Sequence, residues 1–255
     1  MPGLSQVRRL EAVSFRSWPA TNTHYDGAWA IRLTASHPSR RLNSVNPLDP
    51  SDHTNLDSRI QRAAERFKAF GRPLVFRQSP LAPPDLDNLL DARGWRRFDE
   101  TIVMTIDLDA MAIEKAIDQV PIQDAGRWID DIIAMNAIES ALKPGLSELI
   151  GSIQPKVGLF VNENEDGTPY AAGMCVHDND LAGLFEVVAH PAFRRQGRGK
   201  EIVLSSLLWA RNRGARRGWL QVVSANEPAV ALYKSLGFKE IYRYAYRQAP
   251  ENRST

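Results

Sequence analysis

The stretch HPAFRRQGRGKEIVLSSLLWA, residues 190–210, constrains the fold more than any other part of the chain. A proline turn runs into Arg194, Arg195, Gln196, Gly197, Arg198, Gly199 and Lys200, and an apolar-periodic helix follows over roughly 198–213. Glycine is a poor helix former, so two glycines at a helix entrance need another reason. The segment before them, NDLAGLFEVVA (179–189), reads as a strand. A strand, a glycine-rich turn and a helix together make an anion site, because N–H groups at the helix start point outward and the dipole favours negative charge. Glycine lets the backbone approach a ligand closely, and arginines add charge-assisted contacts to phosphate oxygens. The local reading is a phosphate or pyrophosphate cradle. The segment does not fit GxxxxGK[ST], and GxGxxG fails because Ile202 stands at the third glycine position.

Around this turn, strand and helix patterns alternate, which indicates a mixed α/β or α+β chain. GAWAIRLTA (27–35) and RRLNSVNPL (40–48) read as extended. A helix over 55–70 places Leu56, Ile60, Ala63, Ala64 and Phe67 on one face and stops at Gly71. A strand (73–78), a helix opened by proline and closed by glycine (83–94) and a strand within 95–108 follow. Past Pro121 come helical stretches at 123–141 and 145–153, with KPG (143–145) as a helix-ending turn. Strands at 156–163 and 168–178 flank NEDG, a hairpin signal. After the opening stretch come a strand (218–225), a short helix (226–237) and a strand (238–247); the tail QAPENRST reads as disordered. Residues 86–108 and 229–248 share one order: short helix, Gly-aromatic stop, strand. This suggests two related units in tandem, with a boundary near 108–112.

Composition narrows the class. The chain has 255 residues, 43% of them hydrophobic, and a net charge of only +2. That supports a real core and excludes a global polyanion-binding field. Positive charge is local: residues 193–217 carry eight Lys or Arg against Glu201 alone. That segment lacks the aromatic interleaving of a nucleic-acid binder, so no nucleic-acid partner is expected. The single cysteine, Cys175, sits in the apolar run AAGMCV and reads as a buried small hydrophobe. No Cys/His cluster suggests a metal. With no run of about 18 apolar residues and no apolar segment in MPGLSQVRRLEAVSF, no membrane partner is expected and the expected location is cytoplasmic.

A second motif lies downstream. The strand WLQVVSA leads into Asn226-x-x-Ala229-x-x-Leu232-Tyr233-x-x-x-Gly237-Phe238. Together with Arg194-x-x-Gly197-x-Gly199, it resembles the motif set of the GNAT superfamily of N-acetyltransferases over roughly residues 120–247. The resemblance implies a GNAT fold over 111–250, a smaller degenerate GNAT-like α/β half over 1–110 and a flexible tail at 251–255. It implies acetyl-CoA as co-substrate, an amine acceptor (small molecule or peptide) and a monomer or homodimer. Backbone groups of Val187, Val188 and Ala189 would pair with the pantetheine arm. N–H groups from Arg195 to Lys200 would hold the pyrophosphate, with Arg194 or Arg195 reaching a phosphate. Asn226 and Tyr233 would line the thioester end.

Acetyl transfer needs a neutral amine, an oxyanion donor and a proton for the departing thiolate. The N–H of Val188 suits the second and the Tyr233 hydroxyl the third. Glu186, between Phe185 and Val187, is the candidate base. Some relatives carry a glutamate on the next strand, but this chain has Gln221 there, which cannot act as a base. His190 is a further candidate whose place beside Pro191 suggests a loop-end role. In the N-terminal half the matching region, NPLDPSDHTNLDSRI, puts Asp49, Asp52 and Asp57 where a cradle would be. These would repel pyrophosphate, so this half reads as one that does not bind CoA. The cluster Arg40, Arg41, Asn43 and Ser44 either recognises an acidic or polar acceptor or is an exposed polar strand. The rival from another class is a non-catalytic acyl-CoA-binding or regulatory module.

Overall fold

The computed structural model describes residues 3–113, 116–136 and 139–250; the tail at 251–255 lies outside them. In chain order the elements are α1 (Leu4–Ser17), β1 (Asn22–Asp26), β2 (Trp29–Leu33), β3 (Ser44–Pro47), α2 (Leu56–Ala69), β4 (Val75–Gln78), α3 (Pro84–Ala92) and β5 (Arg96–Asp107). There follow α4 (Ala125–Asn136), α5 (Lys143–Ser152), β6 (Lys156–Glu163), β7 (Pro169–Asp178), β8 (Leu181–Ala189), α6 (Arg198–Arg211), β9 (Arg217–Val223), α7 (Glu227–Ser235) and β10 (Lys239–Gln248). This is the mixed α/β architecture that the alternation predicts. No helix among the described residues is long and apolar enough to cross a membrane.

The chain forms two compact units whose membership exchanges segments instead of changing once near 108–112. The first holds the residues up to 102, 223–225 and those from 241 onward; the second holds 103–222 and 226–240. Strand order is β1-β2-β3-β4-β10-β5 in the first and β5-β9-β8-β7-β6 in the second. The last strand of the chain thus lies antiparallel to β4, from Ala245↔Gln78 to Gln248↔Val75. Gln248, read from sequence as tail, is a strand residue there.

In the first unit, β1 and β2 form a hairpin, β3 pairs antiparallel with β2, and β3 runs parallel to β4 at Val45↔Phe76. Trp29, Ile31, Val45, Phe67 and Phe76 build its core, with the Trp29 and Phe76 rings edge-on at 5.3 Å. Each such side chain contributes roughly 1.5–3 kcal/mol when fully buried. Two elements depart from the sequence reading. β3 is only Ser44–Pro47, because Arg40 to Asn43 turn first, with the Leu42 N–H donating to Ser39 O. α1 was not anticipated at all. It buries Val7, Leu10 and Val13, yet also Glu11, which is 1% exposed. The Glu11 carboxylate accepts from Arg77 and, at 2.5 Å, from the Tyr242 hydroxyl. A buried charge is tolerable only when so paired.

In the second unit, β6, β7 and β8 form an antiparallel meander, and the NEDG turn closes as expected through the Gly167 N–H to Asn164 O at 2.9 Å. KPG does not end a helix. Pro144 lies in the first turn of α5, where its missing N–H costs no hydrogen bond. Cys175 is fully buried in β7, and burial pushes its thiol pKa up, as befits a small hydrophobe.

Candidate active site

The site begins with a fault in the β7–β8 ladder. Met174 pairs with Phe185 and Ala172 with Val188, so Gly173 faces both Glu186 and Val187. Glu186 absorbs this bulge with φ +47, a conformation few non-glycine residues adopt. The displaced Gly173 carbonyl accepts from Trp128 Nε1 at 3.2 Å, and the same N–H also faces the Phe160 carbonyl at 3.2 Å. Trp128 on α4, only 1% exposed, therefore anchors the bulge.

On its other side, β8 runs parallel to β9 from Leu181↔Arg217 to Leu184↔Leu220, where the register ends. Close packing fixes that last paired stretch. A Cβ on Gly183 would stand 2.7 Å from the Trp219 ring, which meets Phe185 edge-on at 5.5 Å. Beyond it Glu186, Val187, Val188 and Ala189 continue as a strand that has left β9. Such an edge offers backbone donors and acceptors to an extended ligand.

The chain then turns. His190 caps a short 3-10 turn, Pro191–Phe193, with Nδ1 accepting from the Ala192 N–H at 3.3 Å, which is a loop-end role. Arg195 and Gly197 take φ of +60 and +82, and Gly197 is the N-cap of α6. A Cβ on Gly197 would meet nothing within 4 Å, so the space there is open, and glycine takes the positive φ without strain. Gly199 answers to packing: its Cβ would lie 3.3 Å from Leu232 Cδ2. Leu232 is half-buried and faces this glycine.

The cations divide by task. Arg194 Nε donates to the Ala189 carbonyl at 3.4 Å, and Gln196 Nε2 to the Ala192 carbonyl at 3.3 Å. Arg198 pairs with Glu201 at 3.2 Å and stacks over the Tyr170 ring at 4.5 Å, a partner the sequence did not reveal. Arg195 and Lys200 are exposed. The Lys200 N–H already donates to Gly197 O at 2.9 Å, which leaves the N–H groups before it as the outward set.

Tyr233, on α7, is 7% exposed and packs edge-on against Phe238 at 5.7 Å. Burial, and then the Glu186 carboxylate, push its hydroxyl up to about 12, so it stays protonated at neutral pH. The fold thus brings Tyr233 and Glu186 within electrostatic reach. Asn226 caps α7, its Oδ1 accepting from the Ala229 N–H at 3.3 Å. Among the described residues no group of three His, Cys, Asp or Glu is placed to hold a metal ion.

A strand end open on its β9 side, a glycine-capped helix start and a buried phenol suit an acyl thioester with a phosphate-bearing handle. Known proteins share the architecture. A relative from Bacillus subtilis (strain 168), described as uncharacterized N-acetyltransferase YobR, is 26% identical over 251 residues, covering 96% of this chain and 99% of its own. A GCN5-related N-acetyltransferase from Kribbella flavida has the same fold at a TM-score of 0.70 and 15% identity, with 96% of each chain covered. A tandem GNAT protein from the clavulanic acid biosynthesis pathway matches at 0.65 and 16%, over 95% of this chain and 88% of that one. The protein is an acyltransferase of the GNAT class. It belongs to the family described as "Probable histone acetyltransferase Rv0428c C-terminal", which matches residues 4–247.

Proposed function

We propose that the protein transfers the acetyl group of acetyl-CoA directly to a primary amine, on a small molecule or a peptide, without a covalent enzyme intermediate. The observation that carries this is the buried Tyr233, within electrostatic reach of Glu186 at the stretch where β8 has left β9. Acetyl-CoA fits these residues: Gly197 leaves open space at the helix start, and the end of β8 offers its backbone. Val187, Val188 and Ala189 would hold the pantetheine arm. The N–H groups from Arg195 to Gly199 would hold the pyrophosphate, with Arg194 or Arg195 supplying charge and Asn226 lying toward the thioester end. The bound thioester supplies the activated acyl group.

Each residue then has one task. Glu186 takes a proton from the incoming ammonium, directly or through water. The Val188 N–H donates to the carbonyl oxygen as negative charge develops. Tyr233 gives its proton to the departing thiolate. The degenerate first half takes no CoA in this reading, and a cytoplasmic location is part of it. Thiol release from acetyl-CoA across an amine library tests the proposal. A responsive amine is expected, and Tyr233→Phe should lower kcat about 100-fold with KM for acetyl-CoA little changed. CoA binding with no turnover on any amine would replace the proposal with a binding module. An unchanged kcat in Tyr233→Phe would remove the acid.

A further inference from the structure

A cavity of about 620 Å³ lies wholly within the first unit, away from the residues of the acetyl-transfer site. Its size is that of a pocket for a small organic ligand. Its wall carries Arg40, Arg41, Arg72 and His37, against one carboxylate, Asp99. Arg40 consumes that carboxylate, with Nη1 at 2.6 Å from Asp99 Oδ2. Arg72 spends one Nη on the Ala35 carbonyl at 2.8 Å. Among the described residues neither Arg41 nor Arg72 has a carboxylate partner, although both are half-buried.

Arg41 and Arg72 both lie within electrostatic reach of His37 on this wall. The His37 imidazole is held below its ordinary value by burial first, and then by Arg72 and Arg41. Its Nδ1 accepts from the Ser39 N–H at 3.2 Å, which also favours the neutral ring. Like charges converging on a partly buried wall are destabilising unless something offsets them. Polar side chains, Asn43, Thr101 and Gln248 among them, share the rest of the lining with apolar or aromatic Val75, Val223, Tyr244 and Tyr246. Tyr244 and Tyr246 meet edge-on at 5.6 Å. Burial raises the Tyr246 phenol pKa, so it contributes no negative charge.

We infer that this cavity is a binding site for a small organic anion, its carboxylate or phosphate between Arg41 and Arg72 and its apolar body on the tyrosine side. Planar guanidinium groups suit both kinds of oxyanion. The site needs no acetyl-CoA and stands whether or not the acetyl-transfer reading does.

Calorimetric titration of the full chain with succinate, inorganic phosphate and neutral succinamide tests this. Succinate or phosphate should bind saturably at millimolar concentration or below, and succinamide should not; which of the two binds tells carboxylate from phosphate. NMR titration of the His37 ring supplies a second reading in the unaltered protein. Bound anion offsets Arg72 and Arg41, so the His37 pKa should rise. The double variant Arg41→Gln/Arg72→Gln should weaken binding at least about tenfold. Equal binding of succinamide, no saturable oxyanion binding, or a His37 titration unmoved by saturating anion would each overturn the inference.

Discussion

The chain makes the same corner twice, and the two corners differ in what fills them. In the first unit the strand β3 passes through residues 48–55 into α2; in the second, β8 passes through residues 190–197 into α6. Both helices begin on a left-handed N-cap, Asn55 at φ 55 and Gly197 at φ 82. The first corner supplies its own anion. Asp52 Oδ2 accepts from the Ala28 N–H at 2.7 Å, and its carboxylate pairs with Arg59 at 2.7 and 2.9 Å. Arg59 in turn lies over the Trp29 ring at 4.0 Å. Asp49 accepts from Ser51, and Asp57 pairs with Arg93. The acids that the sequence set against pyrophosphate are thus structural partners. The second corner has no carboxylate in that place, and a Cβ on Gly197 would meet open space. The first corner satisfies itself with its own carboxylate, and the second leaves its space open.

Putting an anion into the second corner should break the contrast most sharply. Gly197→Asp introduces a residue type that visits the left-handed backbone more readily than most. It should lower the melting temperature by no more than a few degrees, less than Gly197→Ala does, yet raise KM for acetyl-CoA about 50-fold by charge repulsion. Gly197→Asn, which copies Asn55 without charge, should raise it no more than about threefold. Equal effects of the two would show that shape, not charge, separates the corners.

Next in size is the removal of the first corner's carboxylate. Asp52→Ala leaves Arg59 buried with fewer partners and should cost about 2 kcal/mol of stability, read as a lower urea midpoint. The backbone comparison is smaller. Gly197→Ala should cost about 1 kcal/mol for a Cβ at positive φ, whereas Asn55→Gly should change stability by only a few tenths.

The smallest effect is in pH. The Arg59 hydrogen bond holds the Asp52 carboxyl below its ordinary 3.8, against the opposing cost of burial. The unfolded chain therefore binds this proton first on acidification. The stabilisation is complete above that ordinary value and is lost as pH falls through the lower folded one. Asp52→Asn should flatten the acid decline of the urea midpoint below about pH 4.

How much was legible in sequence follows from range. The glycine turn, the cap at Asn226 and the helix carrying Tyr233 are set by neighbours a few residues apart, and the sequence shows them. The bulge at Glu186 is invisible, since it is a mismatch between β7 and β8 and no composition marks it. α1 escaped because its buried face mixes Val7 and Leu10 with Glu11 and Ser14, which blurs the apolar period. Glu11 is inside because Arg77 and Tyr242 meet it, 66 and 231 residues away. β1, NTHYD, is exposed and polar, and is a strand only because β2 pairs with it. In the first-unit cavity, Arg40 and Arg41 stood out as a cluster; Arg72 did not, for it comes from beyond α2.

Seating β10 beside β4 has a consequence for synthesis. A ribosome releases the segments of the first unit on either side of nearly the whole second unit. Vectorial folding, in which the earliest domain completes while the next is still being made, is closed to that unit. Until β10 has been made, the β4 edge that it covers waits bare, the state in which strands find wrong partners. Emergence of β10, and not of residues up to 102, is the moment at which the first unit can close.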